Sequence, residues 1–414
     1  MHILFLTQIL PYPPSSGPKV KTWHVLRYLS ERGHKITLAS FVRSEELPYV
    51  DAVREICSTV HAIPMRRSRV RDMGYFLRSL FSRRPFLVER DDLVEMRAIV
   101  QQVITAEHVD VIHADQLTMT QFGFPLDHNG GSKPVLVFDA HNAVWTITER
   151  MKENAPFYLK PPLWLETKRI KQYEGMIVSA FDSTLAVTEP DRIALLEAVH
   201  AHAPHNDDQA VPISVIPIAV DTRQIQPVER DVDSLNMLTM GTLYYPPNAD
   251  GIRWFLQEVL PLVRKKLPKV TLTIVGKNPP RDFLRLAEDP ENGVIVTGFI
   301  EDLDPYFAKS ALMVIPVRAG GGMRVRILEA FARAMPVVTT TIGLEGIQAQ
   351  PGKDVLVADS PSDFAEAVLR LMHDKALQAS LASNSRQLVE SKYDWQVVLR
   401  ELDKTYEQLA ARSV

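Results

Sequence analysis

Residues 315–331 read IPVRAGGGMRVRILEAF and combine three local patterns in one short stretch. An apolar run typical of a buried strand ends near Pro316, three glycines follow, and an amphipathic helical pattern begins near Met323. Leu328 and Phe331 lie on the apolar face of that helix, together with Ala332 and Met335 farther along the chain. A strand, a glycine-rich loop and a helix in this order are typical of a parallel α/β sheet.

The same alternation runs through the rest of the chain. The predicted strands are Ile3–Leu6, Lys35–Phe41, Val60–Ile63, Val109–His113, Val135–Asp139, Ser183–Val187, Ile213–Ile216, Leu235–Met240, Val270–Val275, Val294–Thr297, Ala311–Pro316, Val337–Thr340 and Val355–Ala358. Helical patterns such as 22–32 and 91–107 separate several of them, and the order restarts near Leu235. We predict two doubly wound, Rossmann-like α/β domains that face each other across a cleft.

The predicted boundaries follow the composition. Residues 1–221 form an N-terminal domain, and the polar stretch 222–233 is a hinge. Residues 234–390 form a C-terminal domain. Residues 391–414 are a C-terminal helix that we expect to cross back to the first domain.

Composition excludes several classes of protein. The 414 residues include 47 Lys and Arg against 50 Asp and Glu, a net charge of −3, so we expect no nucleic-acid partner. A single cysteine, Cys57, cannot form an intrachain disulfide and fits a reducing, cytoplasmic location. The apolar start 2–6 lacks a basic leader and breaks at Pro11, which argues against a signal peptide.

The glycine-rich loop is the first candidate binding site. Glycines let backbone N–H groups approach an anion, and a helix N-terminus adds partial positive charge. The loop consists of Gly320, Gly321 and Gly322, with Arg318, Arg324 and Arg326 around it. Guanidinium groups pair with phosphate oxygens, so this corner favours a diphosphate. Glu329 lies three residues after Arg326 on the same helix face, where a carboxylate can accept hydrogen bonds from ribose hydroxyls.

Two other interpretations of this loop stay open at this point. It can be a plain glycine loop with an Arg–Glu surface pair. A dinucleotide site is disfavoured, since the glycines lack the GxGxxG spacing.

The segment 322–338, GMRVRILEAFARAMPVV, resembles the signature of the retaining GT-B glycosyltransferases, family 4 (group 1) in particular. Further blocks agree in the family's order. They are Pro13 to Gly33 with the ending Arg32-Gly33-His34, residues 216–221, residues 298–302 and residues 343–346. The resemblance implies a transferase that moves a sugar from a nucleotide-diphosphate sugar to an acceptor hydroxyl.

The resemblance also implies roles for single residues of the donor site. Glu329 would bind the ribose, and Arg326 would take the position of a phosphate-binding lysine. Gly298, Phe299 and Ile300 would border the base, and Gly17 would approach the phosphates or the sugar. Many members carry a glutamate where this chain has Gly322, so sugar contacts would come from backbone amides at Gly320–Met323. The cations usual after the first strand of this domain are missing from residues 241–245.

Polar side chains end two strands of the N-terminal domain. His113 and Asp115 stand at one strand end, where the family often has two histidines, and His141 follows the next strand. The carboxyl ends of parallel strands are where substrates bind in such sheets, so we expect these residues to contact the acceptor. A buried histidine with a purely structural role is an equal alternative for His113. In this class the leaving diphosphate can itself accept the acceptor's proton, which makes phosphate-side arginines such as Arg326 catalytic.

No metal ligand set is evident, because no DxD motif stands at a strand end. We predict no metal and no other cofactor, with arginines as the counter-charge of the diphosphate. Residues 65–85 contain seven arginines among aromatic and aliphatic residues. Such a tract either docks on an anionic membrane or forms a solvated face. We expect peripheral contact with the inner face of the membrane and a glycan or lipid-linked acceptor.

Two rival functions share this architecture. A nucleotide-sugar 2-epimerase would need carboxylates around the sugar, and Gly322 removes one of them. The other is a non-catalytic partner subunit that binds nucleotide sugars. The absent glutamate at position 322 and Asp115 at the usual histidine position are both consistent with lost turnover.

Overall fold

The computed structural model describes residues 1–65, 67–124, 133–153, 155–203 and 211–412. The chain divides into two compact units. The first combines Met1–Ile218 with Val398–Val414, and the second spans Ala219–Val397.

The first unit contains a seven-stranded sheet within its described residues, and every neighbouring pair of strands is parallel. Its strands are β1 (His2–Thr7), β2 (Lys35–Val42), β3 (Thr59–Pro64), β4 (Val111–Asp115), β5 (Val135–Ala140), β6 (Ser183–Ala186) and β7 (Ile213–Val215). They lie in the order β3-β2-β1-β4-β5-β6-β7. Because helices cover a parallel sheet on both faces, its central strands are buried on both sides and largely apolar. All six residues of β1 are buried.

Helices of the first unit pack against this sheet. They are α1 (Gly17–Glu31), α2 (Val50–Arg54), α3 (Arg69–Ser82), α4 (Phe86–Asp91), α5 (Val94–Ala106), α6 (Thr120–Gly123), α7 (Val144–Glu153), α8 (Lys160–Ala180) and α9 (Glu189–His202). Short 3-10 turns occupy Ser44–Tyr49, Leu117–Met119 and Phe157–Leu159. The described helix α18 (Arg400–Arg412) completes the unit from the far end of the chain.

The second unit repeats the plan with six described strands, all parallel. They are β8 (Asn236–Met240), β9 (Thr271–Val275), β10 (Val294–Gly298), β11 (Leu312–Ile315), β12 (Val337–Thr339) and β13 (Leu356–Val357), in the order β10-β9-β8-β11-β12-β13. Its helices are α10 (Pro246–Trp254), α11 (Leu260–Lys266), α12 (Arg281–Ala287), α13 (Asp304–Ala308), α14 (Val325–Ala332), α15 (Pro361–His373) and α16 (Lys375–Lys392), and α17 (Trp395–Val398) begins at its end. A π-helical turn, Phe255–Val259, and a 3-10 turn, Pro290–Asn292, complete it.

The predicted fold class is confirmed. Each predicted strand overlaps an observed one, and the two parallel sheets with interleaved helices are the doubly wound arrangement that the alternation indicates. Helix α8 was not predicted. Pro161 and Pro162 suggest a break in the sequence, but proline is tolerated in the first turn of a helix, and this helix begins at Lys160.

The structure corrects the expected hinge at residues 222–233. The whole segment belongs to the second unit, which begins at Ala219. The Arg386 guanidinium donates to the carbonyls of Thr222 at 2.9 Å and Ile225 at 2.8 Å. Thr222 also donates its hydroxyl to Asp394. Residues 391–397 likewise belong to the second unit, and only the chain from Val398 onward belongs to the first.

Candidate functional site

The glycine-rich turn after β11 depends on backbone conformations that side chains rarely adopt. Gly320 has φ +98° and Gly322 has φ +82°, so a Cβ at either position would strain the backbone. The Arg324 guanidinium donates to the carbonyl oxygens of Gly320 at 3.2 Å and Gly321 at 2.8 Å, and also to that of Gly322. Arg324 is only 9% exposed, so it holds the turn together at the start of α14.

Arg326 lies one residue inside α14 and reaches the end of another strand. Its guanidinium donates to the Met240 carbonyl at 2.9 Å and to Asn248 Oδ1 at 2.7 Å. A Cβ on Gly241 would lie 2.2 Å from this guanidinium, so a side chain there would displace Arg326. Burial, together with the charge of Arg324, lowers the pKa of Arg326 to about 10. Arg326 therefore supplies a cation to the end of β8, where residues 241–245 lack one.

Glu329 shares the helix face of Arg326, as predicted from their spacing. The opposite face is buried, with Leu328, Phe331 and Ala332 fully inaccessible. Burial raises the pKa of Glu329, although the charges of Arg333 and Arg326 oppose the shift. Within the described part of the chain, no hydrogen bond reaches the Glu329 carboxylate. This carboxylate is free to accept hydrogen bonds from a ligand.

Arg318 is the most accessible of the three predicted arginines. Its side chain is 45% exposed, and Nε lies 3.9 Å from Asp250 Oδ2. The guanidinium carbon lies 5.4 Å from the centre of the Trp254 ring. Arg318 can thus turn toward a bound anion, whereas Arg324 and Arg326 already donate to main-chain carbonyls.

The predicted base-binding segment follows β10. Gly298 has φ +77°, and Phe299 is 58% exposed. The Lys277 ammonium lies 4.2 Å from the centre of the Phe299 ring, in cation–π geometry. Ile300 beside it is half-buried. Lys277 was missed by the sequence analysis, because nothing in its neighbourhood indicates that it meets Phe299.

In the first unit, Asp115 at the end of β4 is the centre of a buried polar network. His141 Nε2 lies 2.7 Å from Asp115 Oδ1, while the hydroxyls of Thr7 and Thr22 donate to Oδ2 at 2.7 Å and 3.0 Å. A carboxylate only accepts, so His141 Nε2 carries a proton, and Nδ1 is the ring nitrogen left to face a ligand. Nδ1 is buried and has no hydrogen-bond partner among the described residues. Asp115 therefore fixes both the orientation and the tautomer of His141.

Asp139 at the end of β5 carries the second half of this network. Lys21 Nζ donates to Asp139 Oδ1, and His113 Nε2 lies 3.5 Å from Oδ2. Burial raises the pKa of Asp139, but the Lys21 charge and the hydrogen bond from His113 outweigh it and hold that pKa well below its usual range. Both Lys21 and Asp139 are almost fully buried, so their opposite charges compensate each other away from water.

His113 packs inside the domain. It is 0% exposed, its ring stacks on Phe5 at a centroid distance of 4.4 Å, and Nδ1 lies 2.7 Å from the Tyr406 hydroxyl of α18. Burial, with the Asp139 charge, raises the pKa of Tyr406 well above its ordinary value, so the hydroxyl keeps its proton. This environment matches the structural alternative for His113 in the sequence analysis.

Gly17 is the first residue of α1, in the connection that follows β1. The same helix places Lys21 and Thr22 against the two aspartates. The sequence analysis missed Thr7, Lys21, Thr22 and Tyr406. The sequence did contain one signal for Lys21. Lys19 and Lys21 lie two residues apart in an otherwise apolar helical stretch, and a buried lysine needs an acidic partner.

The atom types of Asp115, Asp139 and His141 would suit a cation. One ligand atom from each lies within 4.8 Å of the others. The Lys21 ammonium already occupies the Asp139 carboxylate, and it repels a second cation at this position.

The family described as Glycosyl transferases group 1 matches residues 234–374, which include β8–β13 and the glycine-rich turn. Residues 234–374 are therefore similar to a group 1 glycosyltransferase domain. The match and the relatives below support a transferase enzyme, as the motifs predicted. Among the residues that the structure describes, no helix is long and apolar enough to cross a bilayer.

Curated relatives extend the likeness. A 44.6 kDa protein in the cps region of Klebsiella pneumoniae is 23% identical over 97% of this chain and 99% of its own. The capsular polysaccharide biosynthesis glycosyltransferase CapM of Staphylococcus aureus is 27% identical over 30% of this chain and 33% of its own. The glycosyltransferase thus resembles proteins of polysaccharide biosynthesis.

Solved structures share its fold. The HepE protein of Anabaena in complex with UDP superposes with a TM-score of 0.68 at 16% identity, over 99% of this chain and all of that one. At this identity the comparison concerns the fold alone, the GT-B fold of two Rossmann-like domains.

Proposed function

We propose that this glycosyltransferase moves a sugar from a nucleoside-diphosphate sugar to a hydroxyl of a glycan or lipid-linked acceptor, with retention at the anomeric carbon. The observation that carries the proposal is the pairing of an anion-binding turn with an unoccupied carboxylate on one short helix. The turn at Gly320–Gly322 opens α14, and Glu329 lies one turn beyond Arg326.

The donor is held by this turn and helix. The diphosphate binds the backbone N–H groups at the start of α14, where the helix dipole adds partial positive charge. Arg318 turns toward the phosphates from its exposed position, and Arg326 adds its charge from the end of β8. Glu329 accepts hydrogen bonds from the ribose hydroxyls, and the base lies against Phe299 and Gly298. Because Gly322 has no side chain, the sugar contacts the backbone of the turn.

The acceptor is oriented by His141. Its Nδ1 lone pair accepts a hydrogen bond from the acceptor hydroxyl, while Asp115 holds the ring in place. The bond between the anomeric carbon and the diphosphate oxygen breaks as the acceptor oxygen bonds to that carbon. As the new bond forms, the hydroxyl proton leaves its hydrogen bond to His141 Nδ1 and passes to the departing diphosphate oxygen, whose growing negative charge the arginines and the helix N-terminus stabilise. His113 and Asp115 are positioning residues in this scheme, because both are 0% exposed.

Residues 65–85 support peripheral contact with an anionic membrane. Helix α3 exposes an apolar stripe to solvent, in which Val70 is 85%, Met73 60% and Phe81 87% exposed. Arg69 and Arg71 flank this stripe without a carboxylate partner among the described residues, and such helices bind anionic bilayers in the interface plane. Arg66, part of the predicted tract, lies outside the described residues. Flotation of the enzyme with phosphatidylglycerol vesicles at low salt tests this contact, and Phe81→Ser should abolish it.

A panel of UDP-, GDP- and ADP-sugars tests the main proposal. Release of the nucleoside diphosphate in the presence of glycan or lipid-linked acceptors supports transfer, and NMR of the product reports whether the anomeric configuration is retained. Epimerised donor would instead assign a 2-epimerase, and binding without turnover a partner subunit. The proposal of metal independence predicts equal rates with EDTA and with Mg²⁺. The relatives named for capsular polysaccharide make polysaccharide intermediates the first acceptors to test.

A further inference from the structure

A cavity of about 590 Å³ lies in the first unit, away from the Asp115 network. It is bounded by the connection between α3 and α4, by α5, α6 and α8, and by the end of α9. Four of its lining residues are arginines, Arg83, Arg84, Arg97 and Arg169, and none is acidic.

Two of the arginines are held in fixed positions. Arg84 donates to Asp92 Oδ2 at 2.9 Å and to Gln121 Oε1 at 2.6 Å. Arg97 donates to the other oxygen of Asp92 at 2.7 Å and to the Gln121 carbonyl at 3.2 Å. The Asp92 carboxylate thus bridges the two guanidinium groups, and Glu89 Oε1 lies 3.6 Å from Arg84 as a second, more distant acidic partner.

Arg169 lies near the charge of Glu166 on the same helix, whereas Arg83 has no acidic partner among the described residues. Neither Arg83 nor Arg169 forms a side-chain hydrogen bond or ion pair within the described residues. Arg83 is the left-handed C-cap of α3, with φ 61°, and this conformation turns the chain at the mouth of the cavity. The cavity therefore carries excess positive charge, and its fixed and free guanidinium groups can surround an anion from several directions.

The remaining wall is largely apolar. Phe124, Tyr173 and Met176 line it, and the Tyr173 hydroxyl lies 3.5 Å from Thr120 Oγ1. Ser82, at the rim, follows Phe81, the most exposed large apolar residue of α3. Such a cavity suits a ligand that carries an anionic group next to an apolar part.

We propose that this cavity binds a phosphate or pyrophosphate group of the acceptor, at a site separate from that of the donor diphosphate. The identification of this ligand as the acceptor rests on the proposed glycosyl transfer. The binding of a phosphoryl group in the cavity does not depend on it. Guanidinium donors match phosphoryl oxygens in bidentate geometry. The phosphoryl group belongs either to an amphiphile whose chain lies along the apolar wall toward α3 or to a soluble sugar phosphate.

Calorimetric titration of inorganic pyrophosphate into the full-length enzyme, saturated beforehand with the nucleoside diphosphate of its donor, tests the proposal. Saturation removes the donor site from the measurement. We expect one binding event that weakens at least tenfold in the Arg83→Gln, Arg169→Gln double variant. The Arg54→Gln, Arg192→Gln variant removes the same charge from solvent-accessible positions elsewhere in the first unit and should bind as the wild type does. Unchanged binding in the first variant, or no binding by the wild type, would overturn the proposal.

Two further titrations separate the sources of the phosphoryl group. Tighter binding of farnesyl pyrophosphate than of inorganic pyrophosphate assigns the cavity to an amphiphilic acceptor, whereas equal binding assigns it to a soluble one. Nucleoside diphosphate titrations of the Arg83→Gln, Arg169→Gln variant report on the donor site alone. Normal nucleotide binding there, with pyrophosphate binding lost, shows that the two sites are distinct.

Discussion

His141 Nε2 lies 2.7 Å from Asp115 Oδ1, and this contact fixes which nitrogen of the ring is available to a substrate. Asp115 is in turn held by the hydroxyls of Thr7 and Thr22. An imidazole oriented by a fixed carboxylate is a common device for holding a reacting hydroxyl. The contact joins the ends of β4 and β5, the edge of the sheet at which substrates bind.

The His141→Ala variant should lower kcat by about 10²-fold or more, because the acceptor hydroxyl loses the group that orients it. Initial rates at saturating donor, with the acceptor varied, measure this effect. Asp115→Asn should lower kcat as well, since an amide can hold the ring in the wrong tautomer. His200→Ala on α9 removes an exposed histidine and serves as the control. A His141→Ala enzyme with wild-type kcat would contradict the assigned role.

Arg326→Ala and Glu329→Ala should each weaken donor binding or turnover at least tenfold, since both changes remove charged hydrogen bonds. Titration of the nucleoside diphosphate measures the binding part, and kcat/KM for the donor measures the rest. Arg370→Ala and Glu366→Ala alter exposed side chains of α15 in the same unit and should change neither. Full activity in both site variants would remove the donor-site assignment.

Lys21→Met should destabilise the protein by about 3–5 kcal/mol at neutral pH, because it leaves the buried Asp139 carboxylate without its cation. The pKa of Asp139 is depressed in the folded state. Its contribution to stability is therefore present above the unfolded-state pKa and is lost as the pH falls through the folded-state pKa. Urea denaturation of the full chain at several pH values measures both effects. Lys35→Met breaks an exposed pair with Glu107 and should have little effect.

Tyr406→Phe should lower the stability of the first unit by about 1–3 kcal/mol, since it leaves His113 Nδ1 buried without a partner. Thermal denaturation followed by tryptophan fluorescence measures the loss. Tyr158→Phe removes a hydroxyl from a residue that is 64% exposed, and it is the matched control. Equal melting temperatures for the two variants would show that the Tyr406 hydroxyl contributes no net stability.

The stability contributed by Glu174 should change with pH in the opposite direction to that contributed by Asp139. Its carboxylate accepts the backbone N–H groups of Val144 at 2.7 Å and Trp145 at 3.0 Å, yet burial raises its pKa to about 8. The folded protein keeps this proton at pH values where the unfolded chain has lost it. Stability should therefore fall as the pH rises from about 5 to 8, by at most about 1.4 kcal/mol per pH unit from this group.

The Glu174→Gln variant isolates the pH dependence of stability that comes from this carboxyl group. Its amide does not titrate, so the free energy of unfolding of the wild type should fall relative to the variant across this interval. Parallel pH curves for the two proteins would disprove the shift. Glu366→Gln, on the exposed side of α15, controls for the change of side chain.

Much of this architecture can be predicted from the sequence, because the strands are short apolar runs separated by glycine, proline and helical patterns. The turn at Gly320–Gly322 and the shared face of Arg326 and Glu329 are local features, so spacing alone finds them. The contacts of Arg326 with Met240 and Asn248 join residues 86 and 78 positions apart, and no local pattern encodes them.

The acceptor network is harder to predict for the same reason. Asp115 and His141 could be chosen as candidates, since each ends or follows a strand. Thr7 and Thr22 are ordinary residues in sequence terms, and only the pairing of β1 with β4 brings Thr7 opposite Asp115. Tyr406 is 293 positions from His113, so their contact depends on the return of the chain to its first unit.

That return has a consequence for how the protein is made. The ribosome delivers Tyr406 after nearly all of the remaining chain has been synthesised, and until then the imidazole of His113 lacks its phenolic partner. A nascent polypeptide stalled at residue 397 would contain every strand of both sheets but an unfinished first core. A product that ends before Val398 should therefore be attacked by proteases in its amino-terminal half.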